Sequence, residues 1–595
     1  MDESVGASLT PAPSPSSRIA VAARAFGDAY PPITGQWRVR AAGLMLVATT
    51  LFYIPWMLTS LNTGLPWLAW SFAVANMFTL TSALLTVFNS WRRYVPKPRP
   101  LMRGDEPPVA VIVPTCRESV PMVLRTVVSV LEQDWPADRL SVVVSDDGHD
   151  PELEGALASL PVIYHHPPPR DAPGRDGAAK AGNLNSALAM IDARHPEIRY
   201  IETRDADDEL GSNQFLRQVV GQLDADDELA YVQTIKEAQV SAGDPFNNRE
   251  SIFYRSQMLC RNGANATFPC GSGVVWRRTA LREIGEFPTW NLVEDLQSGV
   301  EALRRGWRGL YLPIVGAVGQ HAPEDVSNVY KQRGTWAIDT VRLMLWGDLK
   351  GLDLRQRAQF LELLLFYFNA FTVLVYIPSI ICSLLGLVPF NAPTAGYLIH
   401  MLPLVVATEI WLLALNRPYN DRRLRQRAPY RELWRVRIMW TGLAPVYMKG
   451  CIQAILGGPN RKPVYKVTRK HDDVRWHWRQ TLPQTRSSSP SWSSPSTGSA
   501  TGPSPTSPCS PARSTGAGST SSCSAASSPA AGTGSTGSGG RPERPPPTRA
   551  RPPRNRRRPA DRSPRSARQS GAGPPLTVAQ AATASPWLCR STIAA

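Results

Sequence analysis

Three long, predominantly apolar stretches of the chain contain no Asp, Glu, Lys or Arg: Ala41–Leu61, Leu65–Trp91 and Leu363–Thr408. Crossing about 30 Å of hydrocarbon takes roughly 20 apolar residues. The first two stretches therefore predict one spanning helix each, a hairpin over 41–91 turning at Pro66. The third predicts two helices, a second hairpin within 357–416 broken at Pro389, Asn391 and Pro393. Between the hairpins the pattern changes period. Val109–Val113 is an aliphatic run of strand length, Pro121–Gln133 repeats aliphatics at helical spacing, and Leu140–Ser145 is another strand-like run. Strands alternating with amphipathic stretches predict a parallel sheet with crossover helices, an α/β domain over 104–322. Amphipathic interface helices are expected over 323–356. Ile438–Gly457 contains Pro445 and Lys449 and is read as a helix lying on the membrane surface rather than as a fifth span.

Charge orients these elements. Arg18, Arg24, Arg38 and Arg40 precede the first span, Arg92, Arg93, Lys97, Arg99 and Arg103 follow the second, and the stretch from Arg417 to Arg437 after the fourth is densely basic. Basic flanks stay on the cytoplasmic side, which places the α/β domain there and the chain in the plasma (inner) membrane. Residues 1–36 are rich in Ala, Pro and Ser, carry no cleavable signal, and are expected to form a disordered arm.

The formal net charge of +17 belongs mostly to the tail. From Ser487 onward there are 13 Arg, no Lys and 2 acidic residues, a net +11 that leaves +6 for the rest. No nucleic-acid partner is expected on that basis. The tail, 487–595, is a Ser/Pro/Gly tract that turns Arg-rich from Arg541 to Arg568 and holds no apolar run long enough to span. It reads either as a disordered arm touching anionic lipid or, the reading we favour, as the wrong frame of a GC-rich gene. Cys116, Cys260, Cys270, Cys382 and Cys451 precede it without CxxC spacing or a disulfide framework, consistent with a reducing face. His165 and His166 sit in a Pro-rich loop with no ligand geometry.

The candidate chemistry lies at the ends of the strand runs, where open α/β sheets bind ligands. The first run ends at Thr115-Cys116-Arg117-Glu118 and the second at Asp146-Asp147-Gly148, although a carboxylate pair before Gly is also an ordinary turn. Tyr200–Thr203 leads into Arg204-Asp205-Ala206-Asp207-Asp208. Carboxylates two apart, Asp205 and Asp207, can share Mg²⁺ or Mn²⁺ and neutralise a nucleotide diphosphate; a solvated acidic loop has the same composition. Lys180 to Asn185 (KAGNLN) offers a cation for phosphate and amides for hydroxyls, or simply a helix start. No GxxxxGK[ST] run occurs. Asp295, with Glu294 beside it, is a candidate general base for a hydroxyl, or else an N-terminal cap of the helix that follows. Gln332 and Trp336, four apart, share a helix face, where the indole can stack on a pyranose ring or anchor the helix at the bilayer.

In this order the motifs resemble processive family 2 glycosyltransferases with a GT-A (Rossmann-like) domain between transmembrane helices, of the cellulose synthase catalytic subunit type. Phe268-Pro269-Cys270-Gly271-Ser272 resembles FFCGS, Val293-Glu294-Asp295 resembles TED, and Gln332 to Trp336 resembles QxxRW with Thr335 in place of the Arg. Tyr465-Lys466-Val467-Thr468-Arg469-Lys470 resembles the gating loop FxVTxK. The likeness covers roughly residues 40–480. It implies that Thr115, Glu118, Asp146, Asp147, Lys180 and Asp205 bind the uridine nucleotide and that Asp207 with Asp205 holds the metal. Asp295 would be the base, and Cys270, Gly271, Ser272, Gln332 and Trp336 would meet the acceptor. Tyr465, Val467, Thr468 and Lys470 would close over the diphosphate. The implied substrates are UDP-glucose and a growing β-1,4-glucan, with the bilayer and accessory export subunits as partners. A synthase of the chitin or hyaluronan type and an inactive membrane subunit are the alternatives.

Overall fold

The computed structural model describes residues 33–461 except 171, 174, 178, 240–249, 322–325, 418 and 420–428. The gating-loop motif and the tail lie outside these residues. The chain enters through two apolar helices, α1 (Gln36–Thr59) and α2 (Pro66–Asn89), then runs into β1 (Val109–Thr115). Every residue of β1 is buried, the continuous Val/Ile pattern of a strand covered on both faces. There follow α3 (Val120–Leu131), β2 (Leu140–Asp146), α4 (Pro151–Leu157), β3 (Ile163–His165), α5 (Ala179–Arg194), β4 (Tyr200–Thr203) and β5 (Glu209–Leu210). The domain closes with α6 (Phe215–Asp224), β6 (Leu229–Gln239), α7 (Met258–Asn262), β7 (Val274–Arg277), α8 (Arg278–Ile284), α9 (Glu294–Arg304) and β8 (Arg308–His321).

The eight strands form one sheet in the order β3-β2-β1-β4-β7-β6-β8-β5. β3, β2, β1 and β4 are mutually parallel, with Val109 paired to both Leu140 and Tyr200. β7 is antiparallel to β4 and to β6, and β6 runs parallel to β8. This is the architecture expected of a GT-A domain. Because the chain order reverses at β1, the carboxyl ends of β1, β2 and β4 open a crevice at one edge. The antiparallel β7 brings its amino end to that same edge, since Val274 pairs with Thr203. Sequence-distant segments therefore converge where ligands bind.

After β8 come α10 (Val326–Trp346), α11 (Leu354–Phe368), α12 (Val373–Leu384), α13 (Thr394–Leu415) and α14 (Pro429–Gly457). Among the described residues, four helical stretches are long and apolar enough to cross a membrane: Gln36–Thr59, Pro66–Asn89, Leu354–Leu384 and Thr394–Leu415. Much of their apolar surface faces outward, including Ile377, Ile380, Ile381 and Leu384 on α12 and Leu398, Leu402 and Val406 on α13. Such a surface suits lipid and is costly in water. α14 does not meet the same length-and-apolarity measure and lies along α10 instead. The contact is close: a Cβ on Gly450 would stand 2.8 Å from that of Ala337.

Candidate active site at the carboxyl edge of the sheet

The loop after β4 is held from beneath. Fully buried Arg204 is ion-paired with Glu202 and donates to the carbonyls of Glu209 (3.2 Å) and Gly316 (3.0 Å). Thr126 Oγ1 donates to the Ala206 carbonyl at 2.8 Å. With the backbone fixed, Asp205 projects into the crevice between two lysines. Lys180 Nζ lies 2.5 Å from its Oδ1 and Lys236 Nζ 2.8 Å from its Oδ2. Burial alone would raise the Asp205 carboxyl, but the two ammonium groups hold it well below the usual range. Lys180 also donates to the Gly271 carbonyl (2.9 Å) and stands 3.4 Å from Glu294. Lys236 also reaches Asp208 at 3.4 Å. Asp208 is fully buried, and burial pushes its carboxyl up, with the charges of Asp207 and Asp205 adding to the effect against Lys236.

Asp295 opens α9 and faces this cluster. Its Oδ1 accepts from the Leu296 amide at 2.6 Å. Burial first and the Glu294 charge second push its carboxyl up to about 7, against the lowering pull of Lys180. Gly271 lies between Asp295 and Lys180: its φ is +79°, and a Cβ there would stand 3.1 Å from Asp295 Oδ2 and 3.2 Å from Lys180 Nζ. The glycine is thus required both by its left-handed backbone and by lack of room. Ser272 Oγ accepts from the Asp205 amide (3.0 Å), and Gln233 clamps the Cys270–Ser272 segment through the Cys270 amide (2.6 Å) and the Ser272 carbonyl (3.0 Å). Burial raises the Cys270 thiol, so it stays protonated rather than nucleophilic.

On the β1 and β2 side, Glu118 folds back to accept from Thr115 Oγ1 (2.8 Å) and the Cys116 amide (2.5 Å). Asp146 is turned inward: it accepts from the amides of Gly148 (2.7 Å) and Asp150 (2.8 Å) and from the Tyr164 hydroxyl (2.7 Å), which makes it the brace of the loop. Asp147 is paired with Arg170 at 3.0 Å and Arg175 at 2.7 Å. Gln332 and Trp336 stand one turn apart on α10, and the Arg333 guanidinium lies 4.5 Å over the Trp336 ring while ion-paired with Glu250. Thr335 Oγ1 is bonded to the Lys331 carbonyl at 2.9 Å.

The structure thus brings Lys180, Asp205, Cys270, Gly271, Ser272, Glu294 and Asp295 together, with Thr115, Glu118 and Asp147 along the neighbouring strand ends. Sequence reasoning missed Lys236, Arg170 and Arg175. The signal for Lys236 was its position in the run Val232-Gln233-Thr234-Ile235-Lys236, a lysine in a strand buried throughout. Arg170 and Arg175 carried no signal beyond a Pro-rich loop.

The family model described as glycosyltransferase like family 2 matches residues 107–338, which includes the whole sheet and both candidate catalytic carboxylates. Residues 107–338 are thus similar to family 2 glycosyltransferase domains. The transferase domain and its flanks are 30% identical over 355 residues to cellulose synthase 2 of Novacetimonas hansenii, covering 56% of this chain and 21% of that protein. They are 29% identical over 401 residues to the cellulose synthase catalytic subunit of Pseudomonas fluorescens, covering 64% of this chain and 52% of the relative. A third relative, the catalytic subunit of Komagataeibacter sucrofermentans, is 29% identical over 56% of this chain and 44% of its own length. The chain therefore spans between a fifth and about half of these relatives. Among solved structures, the mannosyltransferase PcManGT from Pyrobaculum calidifontis, in complex with GDP-Man and Mn²⁺, aligns with a TM-score of 0.45 and 20% identity over 65% of this chain and 99% of that one.

Proposed function

We propose that the chain is a membrane-embedded, processive, inverting glycosyltransferase that moves glucose from UDP-glucose to the non-reducing end of a β-1,4-glucan and passes the polymer outward. One observation carries this reading: a carboxyl pushed up to about 7, Asp295, stands across Gly271 from a lysine at the carboxyl edge of a GT-A sheet. A carboxylate with that proton affinity can take the proton of the acceptor hydroxyl near neutral pH. The freed oxygen pair attacks the anomeric carbon from the face opposite UDP, the bond to the diphosphate breaks, and UDP leaves with those electrons.

Lys180 supplies positive charge on the leaving-group side. Thr115, Glu118 and Asp147 line the nucleotide end, and Asp146 acts by bracing their loop. Crowded carboxylates at the β4 loop fit a divalent cation, because Asp208 is pushed up partly by the charges of Asp207 and Asp205. No three His, Cys, Asp or Glu side chains are grouped to enclose an ion among the described residues. Asp207, with Asp205 beside it, would hold Mg²⁺ or Mn²⁺ jointly with the diphosphate, and the ion would neutralise the departing phosphate charge. Cys270, Gly271 and Ser272 form the wall nearest the acceptor hydroxyl, and Gln332 and Trp336 hold the glucan end. Tyr465, Val467, Thr468 and Lys470 follow α14 in the chain and serve as the lid.

A second reading, a catalytically impaired subunit of an export complex, is favoured by Thr335, whose hydroxyl is spent on the helix backbone. Membranes carrying the chain, given Mg²⁺ and single labelled UDP-sugars, distinguish the two. Insoluble, cellulase-sensitive label from UDP-glucose that disappears in Asp295→Asn supports the synthase. Label from another UDP-sugar moves the reading to a chitin or hyaluronan type, and no UDP release from any donor supports the impaired subunit.

A further inference from the structure

The loop that delivers the candidate base is fastened by a side chain of the interface helix. Asp339 on α10 is buried, and its Oδ2 accepts from the amides of Leu292 (3.0 Å) and Val293 (2.8 Å), the two residues before Glu294 and Asp295. Asn291 Nδ2 donates to the Asp339 carbonyl at 3.2 Å, so side chain and backbone grip the same loop. These amides lie just ahead of the first turn of α9, where a helix leaves donors without internal partners. Asp339 satisfies them from another element, which makes the position of α9 depend on that of α10.

The same helix continues the connection in both directions. Gln332, Trp336, Asp339 and Arg342 follow at spacings of four, three and three, one stripe of α10. Arg342 donates to the Trp290 carbonyl (2.7 Å), Asn291 Oδ1 (2.8 Å) and the Pro459 carbonyl (2.7 Å) and lies 3.8 Å over the Trp290 ring. Trp290 Nε1 donates to the same Pro459 carbonyl at 3.0 Å. Thus one stripe of α10 carries the two acceptor-side residues, the fastening of the base loop, and the anchor for the chain as it leaves α14.

We infer that Asp339 is a positioning residue that ties the base loop to the acceptor-bearing helix, so that the base is registered against the bound glucan end. The inference rests on the reading of Asp295 as base and of Gln332 and Trp336 as acceptor contacts. What the loop needs from Asp339 is a two-lone-pair oxygen acceptor, which asparagine also provides.

The test compares Asp339→Ala, Asp339→Asn and Asp295→Asn in the full chain in nanodiscs. It measures polymer turnover, KM for UDP-glucose, UDP affinity by calorimetry, UDP released per glucose polymerised, and melting temperature. Misplacing reacting groups by about 1 Å costs on the order of a hundredfold. Asp339→Ala is therefore expected to lower turnover by about ten- to a hundredfold, to leave KM and UDP affinity within about twofold, and to raise UDP released per glucose polymerised as water replaces the misregistered acceptor. Asp339→Asn is expected to restore most of the turnover. Wild-type turnover in Asp339→Ala overturns the inference, as does equal loss in both Asp339 variants. Parallel loss of UDP affinity, melting temperature and turnover shows a folding role only and also overturns it. Polymer formation by Asp295→Asn would instead sink the reading of the base, whatever the Asp339 variants do.

Discussion

Gly271→Ala tests the site where it is tightest. At φ +79° a residue with a Cβ costs about 1–2 kcal/mol. A smaller unfolded-state entropy returns about 0.4–1 kcal/mol of that. The net, about 1 kcal/mol, lowers the melting temperature by about 2–4 °C for a domain of this size. The methyl would also stand 3.1 Å from Asp295 Oδ2 and 3.2 Å from Lys180 Nζ, closer than carbon ordinarily sits. Base and cation must each yield by a few tenths of an ångström. On the scale of a hundredfold per ångström, two such shifts lower turnover by about tenfold or more.

Gly285→Ala supplies the control. Gly285 has φ +85°, yet a Cβ there meets nothing within 4 Å. Its backbone strain matches that of Gly271→Ala while crowding is absent. In the labelled-UDP-glucose assay, with melting followed on the same samples, Gly285→Ala should lose stability alone and Gly271→Ala both stability and turnover. Equal turnover in the two variants would refute the argument that Gly271 keeps Asp295 and Lys180 apart.

Three further outcomes are expected. On the proposed role of Asp295 as the ionised base, its carboxyl pushed up to about 7, turnover at saturating donor should rise through about pH 7 and level off above it. Glu294→Gln removes a charge that raises it, so initial rates from pH 5.5 to 9 should show the midpoint moving down; an unmoved midpoint counts against the pair. Burial likewise raises Asp339 to about 7 from 3.8, so the folded state binds that proton more tightly than the unfolded one, and stability falls as pH rises from about 4 through 7. At about 1.4 kcal/mol per unit, Asp339→Asn should gain up to about 4 kcal/mol on wild type between pH 4 and 8, read from paired melting curves; a constant gap refutes it. Lys236→Met strips a buried cation from Asp205 and Asp208, and breaking such a pair costs about 3–5 kcal/mol. An unchanged melting temperature for Lys236→Met would show that the lysine is not holding the loop.

The elements with a strong period were legible in the chain. Val109–Val113 and Leu140–Ser145 became fully or largely buried parallel strands because their unbroken aliphatic runs leave no solvent face. The charge-free stretches became long apolar helices, with ends displaced by a few residues because Gln36, Trp37 and Arg38 continue the first helix into polar sequence. The third stretch extends back to Leu354, since Asp353 and Gln356 form a capping box that starts the helix before its apolar part. Caps are local chemistry, so that start could have been read from Asp353 and Gln356 alone.

Partner choice was not legible, because it is decided by strand order. The expectation for Asp205 named a metal and a nucleotide but not the lysines its two oxygens face, Lys180 and Lys236, which come from an α-helix 25 residues before it and a strand 31 residues after it. Only the antiparallel insertion of β7 between β4 and β6 sets that strand's end against the β4 loop. The same holds on α10. Spacing on a helical wheel puts Arg333 well away from Thr335, and in the structure it serves another group: it lies over Trp336 and pairs with Glu250. The cation that Thr335 removes from the motif is therefore not restored by its neighbour. Positive charge beside Asp205 comes instead from a helix and a strand of the sheet domain, through Lys180 and Lys236, and it is these two lysines, not Arg333, that lower the Asp295 carboxyl against its burial.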